Sequence, residues 1–234
     1  MSRRSQIKKD LISALRLDDL TGIFSALSGY GEAELLNPLF SAICHFEERI
    51  RWHAVSVFGR VMDAMAREDL ESARVVMRRF LWSLNDESGG IGWGAPEAMA
   101  EIMAVNDTLF RDYFHMLLSY MQEDGPELFQ DGNYLELPPL QRGVIWGVGR
   151  LAGRQRQKLL EAGVAQALLP YLHSPDGPVR GLAAWSLGNL RAAAAGRQMR
   201  HLLSDACPVS LYWQGQIIPT TVSRLASQAI ADLK

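Results

Sequence analysis

The side chains that could carry acid–base or metal chemistry are few and scattered in this 234-residue chain. Its five histidines stand far apart in the sequence: His45, His53, His115, His173 and His201. The one local cluster, His45 with Glu47 and Glu48, lacks the second ligand four residues on that a helical zinc site needs. We therefore predict no catalytic residue, no metal ligand and no cofactor.

Two cysteines and one glycine-rich segment also fail to define a reactive site. Cys44 and Cys207 match no zinc spacing, and the apolar neighbours of Cys44 predict a place in the core. The segment SGGIGWG, residues 88–94, has neither the phosphate-loop pattern nor the dinucleotide-binding pattern of glycines. The residue types therefore favour a binding protein over an enzyme.

Tryptophan, asparagine and arginine recur at spacings that could form a binding surface. Trp185 and Asn189 are four residues apart, which places them one turn apart on one helix face. Trp146 and Arg150 have the same spacing 39 residues earlier, and Arg142 lies one turn before Trp146. Aromatic and arginine side chains are enriched among the energetic anchors of interfaces. These five residues are the predicted partner-binding set, with burial of both tryptophans between helices left open as the alternative.

Charge is divided unevenly along the chain, although the net charge is only −2. Residues 1–141 have 13 basic and 22 acidic side chains, whereas residues 142–204 have nine basic and two acidic ones. The basic side chains of the second stretch are Arg142, Arg150, Arg154, Arg156, Lys158, Arg180, Arg191, Arg197 and Arg200. A basic surface of this kind favours an acidic partner. A solvated face that attracts the acidic half of the chain remains the alternative.

Three long irregular segments, near residues 85–96, 124–139 and 204–220, form a rival site. Their aromatic residues should lie along one edge of the molecule: Trp93, Tyr134, Tyr212 and Trp213. The third segment has two β-prone runs around Gln214-Gly215, which predicts a small hairpin. These insertions could instead cap the ends of the helices and bury their own aromatic side chains.

Apolar residues follow helical spacing along almost the whole chain, and glycine and proline separate the helical runs. Residues 179–190, VRGLAAWSLGNL, align without gaps on residues 140–151. Similar segments occupy residues 50–61, 91–102 and 222–233. Five copies about 40 residues apart predict stacked helix pairs. The second helices of these pairs should lie near residues 49–66, 95–105, 138–152, 178–193 and 221–233.

The stretch Gln155–Ala192 resembles an armadillo repeat over about 38 residues. The other copies look more like HEAT repeats, including the bacterial PBS-lyase HEAT-like type, whose second helix reads D-x-x-V-R-x-x-A-A-x-A-L-G. The matching residues are Asp176, Val179, Arg180, Ala183, Ala184, Leu187 and Gly188. The resemblance implies an all-α fold, a right-handed α-solenoid of about five repeats. Residues 1–234 would form one domain, with capping helices in 1–30 and repeats in 31–234.

In this superfamily most members are binding scaffolds, and the second helices line the concave face. Trp185 and Asn189 are similar to the tryptophan and asparagine array that clamps extended peptides in the importin-alpha family. The array is incomplete here, because Arg150 stands where the first copy would have asparagine, and Ser56 and Glu97 replace tryptophan elsewhere. The resemblance implies a non-enzymatic scaffold for a protein or an extended peptide, and the basic block favours an acidic one.

Two other functions stay open from the sequence. A lyase-like or cofactor-handling protein of the PBS-lyase type would need an enclosed pocket with converging polar groups. A DNA-binding HEAT protein would need a continuous basic groove, and the net charge of −2 does not favour nucleic acid. The chain has no secretory signal pattern and no apolar run that could cross a membrane, so a cytoplasmic protein is expected. Its oligomeric state is not predicted.

Overall fold

Helices succeed one another along most of the chain in this computed structural model, which describes residues 2–85, 92–123 and 133–233. The helices are α1 (Arg3–Leu15), α2 (Leu20–Leu27), α3 (Glu32–Ala42), α4 (Glu48–Glu68), α5 (Leu70–Leu84), α6 (Ala95–Val105), α7 (Asp107–Ser119), α8 (Pro138–Glu161), α9 (Val164–Leu168), α10 (Gly177–Asn189) and α11 (Val222–Asp232). Short 3₁₀ turns lie at Pro170–His173, Ala193–Ala195 and Gln198–Ser204. Strands β1 (Pro208–Trp213) and β2 (Gln216–Thr221) form a hairpin before α11.

The five second helices predicted from the repeat are present as α4, α6, α8, α10 and α11, and each begins within one residue of its predicted start. Helix α8 packs against α10, and α10 packs against α11. This confirms that the helices with Trp146 and Trp185 are neighbours. Helix α8 runs nine residues further than predicted, because a non-helical residue, Gln155 (φ −120°, ψ 26°), joins two helical segments.

The first helices of the last two repeats are weaker than predicted. Helix α9 has five residues and gives way to a 3₁₀ turn at Pro170, whose missing amide N–H removes a helical hydrogen bond. Before α11 the expected α-helix is replaced by two 3₁₀ turns, which are separated at Gly196. The first helices are therefore continuous α-helices in the first three repeats, as α3, α5 and α7, and are short or replaced by 3₁₀ turns in the last two.

The contacts of the chain group it into two compact units. The N-terminal unit consists of Met1–Asp112 with Tyr212–Ile217, and the C-terminal unit consists of Tyr113–Leu211 with Ile218–Lys234. That the whole chain is one domain stays a prediction. Helices α1 and α2 occupy the first 30 residues, where the sequence predicts capping helices.

The core of the N-terminal unit forms where α4 packs against α3, α5 and α6. Three phenylalanine rings meet there, with centroid distances of 4.6 to 5.1 Å among Phe40, Phe58 and Phe80. Cys44 is exposed, and its Sγ lies 3.7 Å from the carbonyl oxygen of Trp93. The prediction that Cys44 is a core residue is wrong, because α3 ends at Ala42 and the thiol lies beyond its packed face.

The predicted hairpin is confirmed, and its tip belongs to the N-terminal unit. Gln214 (φ 50°) and Gly215 (φ 82°) both have left-handed backbone conformations, as the two central residues of a tight hairpin turn require. The Tyr212 ring stacks on Trp52 at 4.8 Å, and its hydroxyl lies 2.6 Å from Ser56 Oγ. The tip is therefore held by packing and by a buried hydrogen bond.

Two arginines make the same contacts in different repeats. Arg51 of α4 and Arg180 of α10 each donate from Nη1 to the carbonyl oxygens six and five residues earlier, at 2.7 to 3.2 Å. Each arginine thus closes the loop that leads into its own helix. This shared arrangement is structural support for the repeat that was aligned from sequence.

In the C-terminal unit the second helices approach closely at small residues. A Cβ atom at Gly188 would lie 2.8 Å from both Cα and Cβ of Ala229 on α11. The Ser186 hydroxyl donates to the carbonyl oxygen of Ile145 at 2.8 Å, which joins α10 to α8 on its other side. Helix α10 is therefore packed on both sides with little free space.

We predict that Gly188→Leu lowers the free energy of unfolding by about 1–3 kcal/mol, because the new side chain would overpack the α10–α11 contact. Gly153→Leu is the matched control, since a Cβ atom there meets nothing within 4 Å. Gly153→Leu should not lower the free energy of unfolding, because leucine has a higher helix propensity than glycine. Removal of the exposed charge in Arg200→Ala should change stability by no more than about 0.5 kcal/mol. Urea titration measures all three, and equal losses for the two glycine variants would contradict this assignment of the packed face.

Candidate functional site

Trp185 and Asn189 both rest on one glycine of the neighbouring helix. Both side chains are half-buried on α10. A Cβ atom at Gly149 of α8 would overlap the Trp185 ring, so the glycine allows the ring to lie against the backbone. Asn189 Nδ2 donates to the Gly149 carbonyl oxygen at 3.2 Å, and Arg156 Nε donates to the Asn189 carbonyl oxygen at 3.1 Å. Packing and hydrogen bonds therefore fix both predicted side chains in position.

Arg142 is tied to the start of α10 by a forked ion pair. Its Nε donates to Asp176 Oδ1 at 2.9 Å, and its Nη2 contacts Asp176 Oδ2. Asp176 also caps α10, because Oδ1 accepts from the Val179 amide at 3.0 Å. Burial raises the pKa of the Asp176 carboxyl, but the hydrogen bonds from Arg142 and Val179 outweigh it and lower the pKa overall. The carboxylate thus stays charged and holds Arg142 by its fork.

Trp146 does not contribute to an exposed surface, because only 2% of it is accessible. Helix α8 is buried without interruption from Gly143 to Gly149, as expected where a helix is apolar on all sides. The prediction that Trp146 lines the binding surface together with Arg142, Arg150, Trp185 and Asn189 is wrong for this residue. The other four are half-buried and retain exposed atoms.

The predicted edge site is not brought together as one surface within either unit. Trp93, Tyr212 and Trp213 belong to the N-terminal unit, and Tyr134 belongs to the C-terminal unit. Tyr212 is only 2% exposed, because it stacks on Trp52, so its predicted exposure is wrong. Trp93 is 39% exposed. Two of the insertions fall in part on residues 86–91 and 124–132, which lie outside the described residues.

Tyr134 lies instead at a pocket of about 700 Å³ in the C-terminal unit. Its hydroxyl accepts from Gln141 Nε2 at 2.9 Å, and the hydroxyl of Tyr171 in the same pocket donates to the Met121 carbonyl oxygen at 3.3 Å. Burial, followed by the nearby Tyr134 and Glu123, raises the pKa of Tyr171 far above its usual value. The Tyr171 phenol is therefore a protonated hydrogen-bonding group at neutral pH.

One carboxyl group has an unusual electrostatic environment. Burial raises the pKa of Glu97 to about 7, and its Oε2 has no hydrogen-bond partner among the described residues. Its own backbone N–H and the charge of Arg51 favour the ionised form but do not outweigh the burial.

No group of three or more histidine, cysteine, aspartate or glutamate side chains that could hold a metal occurs within the part of the chain that the structure describes. Over the same residues, none of the helices is long and apolar enough to span a membrane.

Some residues of this surface could not be singled out from sequence. Gly149 matches Gly188 in the repeat alignment, but only the structure shows that it lies under an aromatic ring. Asp176 precedes α10 at the spacing of an N-cap, so its capping role has a sequence signal. Its pairing with Arg142, 34 residues away, has none apart from the repeat length.

No protein-family model matches this chain. An uncharacterized protein from Archaeoglobus fulgidus is 30% identical over 121 residues, which cover 51% of this chain and 56% of that protein. The chain thus spans about half the length of the curated protein it matches.

Solved structures resemble the fold of the whole chain. A designed armadillo repeat protein in complex with the peptide (KR)4 has a TM-score of 0.53 and 18% identity, with all of both chains covered. Armadillo repeat proteins computationally designed for modular peptide recognition give a TM-score of 0.50 at 18% identity, covering 97% of this chain and all of theirs. The fold is therefore an α-solenoid of armadillo/HEAT-like repeats, as predicted. A closer kinship with the PBS-lyase type stays a prediction.

We predict that Asp176→Asn lowers the free energy of unfolding at pH 7 by about 1 kcal/mol, because the amide can cap α10 but loses the ion pair. Asp176→Ala loses both interactions and should cost about 2 kcal/mol. Since the folded-state pKa of Asp176 lies below its usual value near 3.8, its charge stabilises the fold above that pH and ceases to do so as the pH falls through the lowered value. Urea titrations at pH 7 and pH 3 should show the deficit of Asp176→Asn shrinking. A deficit of the same size at both pH values would contradict the ion-pair assignment.

Proposed function

We propose that this protein is a non-enzymatic scaffold that binds a partner protein, through an extended acidic segment, on the α8–α10 surface. This surface is defined by Arg142, Arg150, Trp185 and Asn189, which keep exposed atoms on two neighbouring helices. The observation that carries the proposal is the half-buried Trp185 ring, which packs against Gly149 beside the Asn189 amide. The armadillo/HEAT-like fold supports a binding role in general.

The Trp185 ring is suited to anchor a bound chain because it already packs against Gly149 in the free protein. Fixing a flexible side chain at an interface costs about 0.5–1.5 kcal/mol. The Gly149 backbone supports one face of the ring, so little of that cost remains when a partner binds. Tryptophan is also among the side chains most enriched at the energetic centre of interfaces.

The Asn189 amide can bind the backbone of an extended chain. An asparagine side chain has two N–H donors and an acceptor oxygen, and one hydrogen bond to Gly149 is accounted for among the described residues. That bond fixes the orientation of the amide. A second N–H and the oxygen can therefore pair with one N–H and one C=O of a peptide, the two groups that every non-proline residue offers.

Charge favours an acidic partner. Residues 142–204 have a net charge of +7, and one of their two carboxylates, Asp176, is engaged by Arg142. Arg142 and Arg150 are eight residues apart, which corresponds to about 12 Å along α8. The designed armadillo repeat protein is bound to a basic peptide, (KR)4. The acidic charge that we propose for the partner of this chain rests instead on its own basic side chains.

The test uses fluorescent octapeptides of alternating Asp and Glu and of alternating Lys and Arg, titrated with the full chain. We expect the acidic peptide to bind more tightly, and Trp185→Ala to weaken it about 30-fold, equivalent to about 2 kcal/mol. Trp82→Ala is the matched control, since Trp82 is 74% exposed on α5 in the other unit. Its binding should stay within twofold of the wild type.

Two further titrations separate this surface from its rivals. Trp213→Ala removes an aromatic residue of the predicted edge site, and a larger loss there than in Trp185→Ala would move the site to that edge. Gly149→Ala keeps Trp185 but pushes its ring away from the backbone, so it should weaken the acidic peptide as well. Tighter binding of a short DNA duplex than of either peptide would overturn the scaffold proposal.

A further inference from the structure

A second charged groove lies in the N-terminal unit, far along the sequence from the α8–α10 surface. Helices α1 and α3 pack against each other and leave a groove of about 580 Å³ between them. Its polar walls consist of Arg3, Arg4 and Lys8 from α1 and Glu34, Asn37 and Ser41 from α3. Ile7 and Pro38 provide apolar surface between these walls.

The groove has positive charge that the described residues do not neutralise. Both oxygens of Glu34 are engaged, because Oε1 pairs with Arg3 at 2.7 Å and Oε2 accepts from the Gly31 amide at 3.2 Å. Arg4 and Lys8 have no ion pair within residues 2–85, 92–123 and 133–233. The lining therefore has a net charge of about +2 at neutral pH.

The basic residues of the groove oppose the formation of α1 in two ways. Arg4 and Lys8 are four residues apart on α1, and like charges at that spacing repel each other. Arg3 and Arg4 also lie in the first helical turn, which contains no acidic residue, and cations are unfavourable at the positive end of the helix dipole. A bound anion would relieve both effects. Local conflicts of this kind in natural proteins concentrate at functional sites.

The opposite wall offers hydrogen-bond donors. Asn37 Oδ1 accepts from Arg79 Nη1 at 2.8 Å, which leaves the amide nitrogen of Asn37 as a donor. Ser41 adds a hydroxyl one turn further along α3, and both side chains are exposed. Because the walls are exposed on both sides, the groove is too shallow to enclose a small molecule, which pockets usually bury by 70% or more. A length of extended chain fits it better.

We infer that the α1–α3 groove docks an acidic, extended segment of a partner protein, with two carboxylates on Arg4 and Lys8. The two α1 positions are about 6 Å apart along the helix axis. Alternate side chains of an extended peptide lie on the same side, about 6.6 Å apart. Carboxylates two residues apart in the partner therefore match the two cations. This site is independent of the proposed α8–α10 surface.

The test is a titration of the full ¹⁵N-labelled chain with two capped peptides of equal composition, Val-Glu-Ala-Glu-Val and Val-Glu-Glu-Ala-Val. We expect the first to shift the amide resonances of residues 3–8 and 33–41, and to bind at least threefold more tightly than the second. Because the readout is local, shifts confined to α8 and α10 would overturn this inference while supporting the other surface. Equal affinities for the two peptides would also overturn it.

Variants separate the groove from general charge attraction. Lys8→Gln and Arg4→Gln together should weaken the first peptide at least fivefold. Lys9→Gln removes a charge from the same helix but lies outside the groove lining, so it should change affinity by less than 1.5-fold. The double variant should unfold at the same or a higher temperature than the wild type, because it removes a repulsion. Weakening by Lys9→Gln as large as that by Lys8→Gln, or displacement of the peptide by equimolar inorganic phosphate, would overturn the inference.

Discussion

The close approach of α10 to its two neighbours is the constraint on which the C-terminal unit depends. At Gly149 the backbone of α8 lies under the Trp185 ring, and at Gly188 the backbone of α10 meets Ala229. Helix surfaces can interdigitate at this distance only where the intervening residues are small, because protein interiors are packed as densely as organic crystals. The same glycine that allows the packing also presents the tryptophan and orients the asparagine amide. Stability and the candidate binding surface therefore share one contact.

Several arginines of the basic stretch, residues 142–204, have a structural role, although the charge count treats all of its arginines alike. Arg180 closes the loop before α10 and pairs with Asp205 at 2.6 Å, and Arg142 pairs with the capping carboxylate of Asp176. Arg51 repeats the loop-closing contact in the N-terminal unit. These side chains are bound to backbone carbonyls or carboxylates, so they hold the repeat together.

Sequence periodicity predicted most of the fold and part of the candidate site. The second helices were predictable because their apolar positions recur in each copy, and the hairpin because two β-prone runs flank Gln214-Gly215. The same alignment placed Trp146 and Trp185 at equivalent positions, although Trp146 is buried and Trp185 is half-buried. That difference depends on which neighbouring side chains cover each ring, and a single chain's pattern does not encode it. Tyr212 was misplaced for a similar reason, since its partner Ser56 is 156 residues away.

The hairpin tip has a consequence for the order in which the protein acquires its structure. Repeat proteins usually make contacts between adjacent repeats, which favours rapid folding from any point. Here the ring nitrogens of His53 lie 2.8 Å from the Leu15 carbonyl oxygen and 3.2 Å from that of Gly215, 162 residues further along the chain. On a ribosome that adds about 5–20 residues per second, the first 112 residues would wait on the order of ten seconds for this segment to be made. Until then Trp52 and Ser56 lack their contacts with Tyr212, and the N-terminal unit is exposed to chaperones and proteases in an unfinished form.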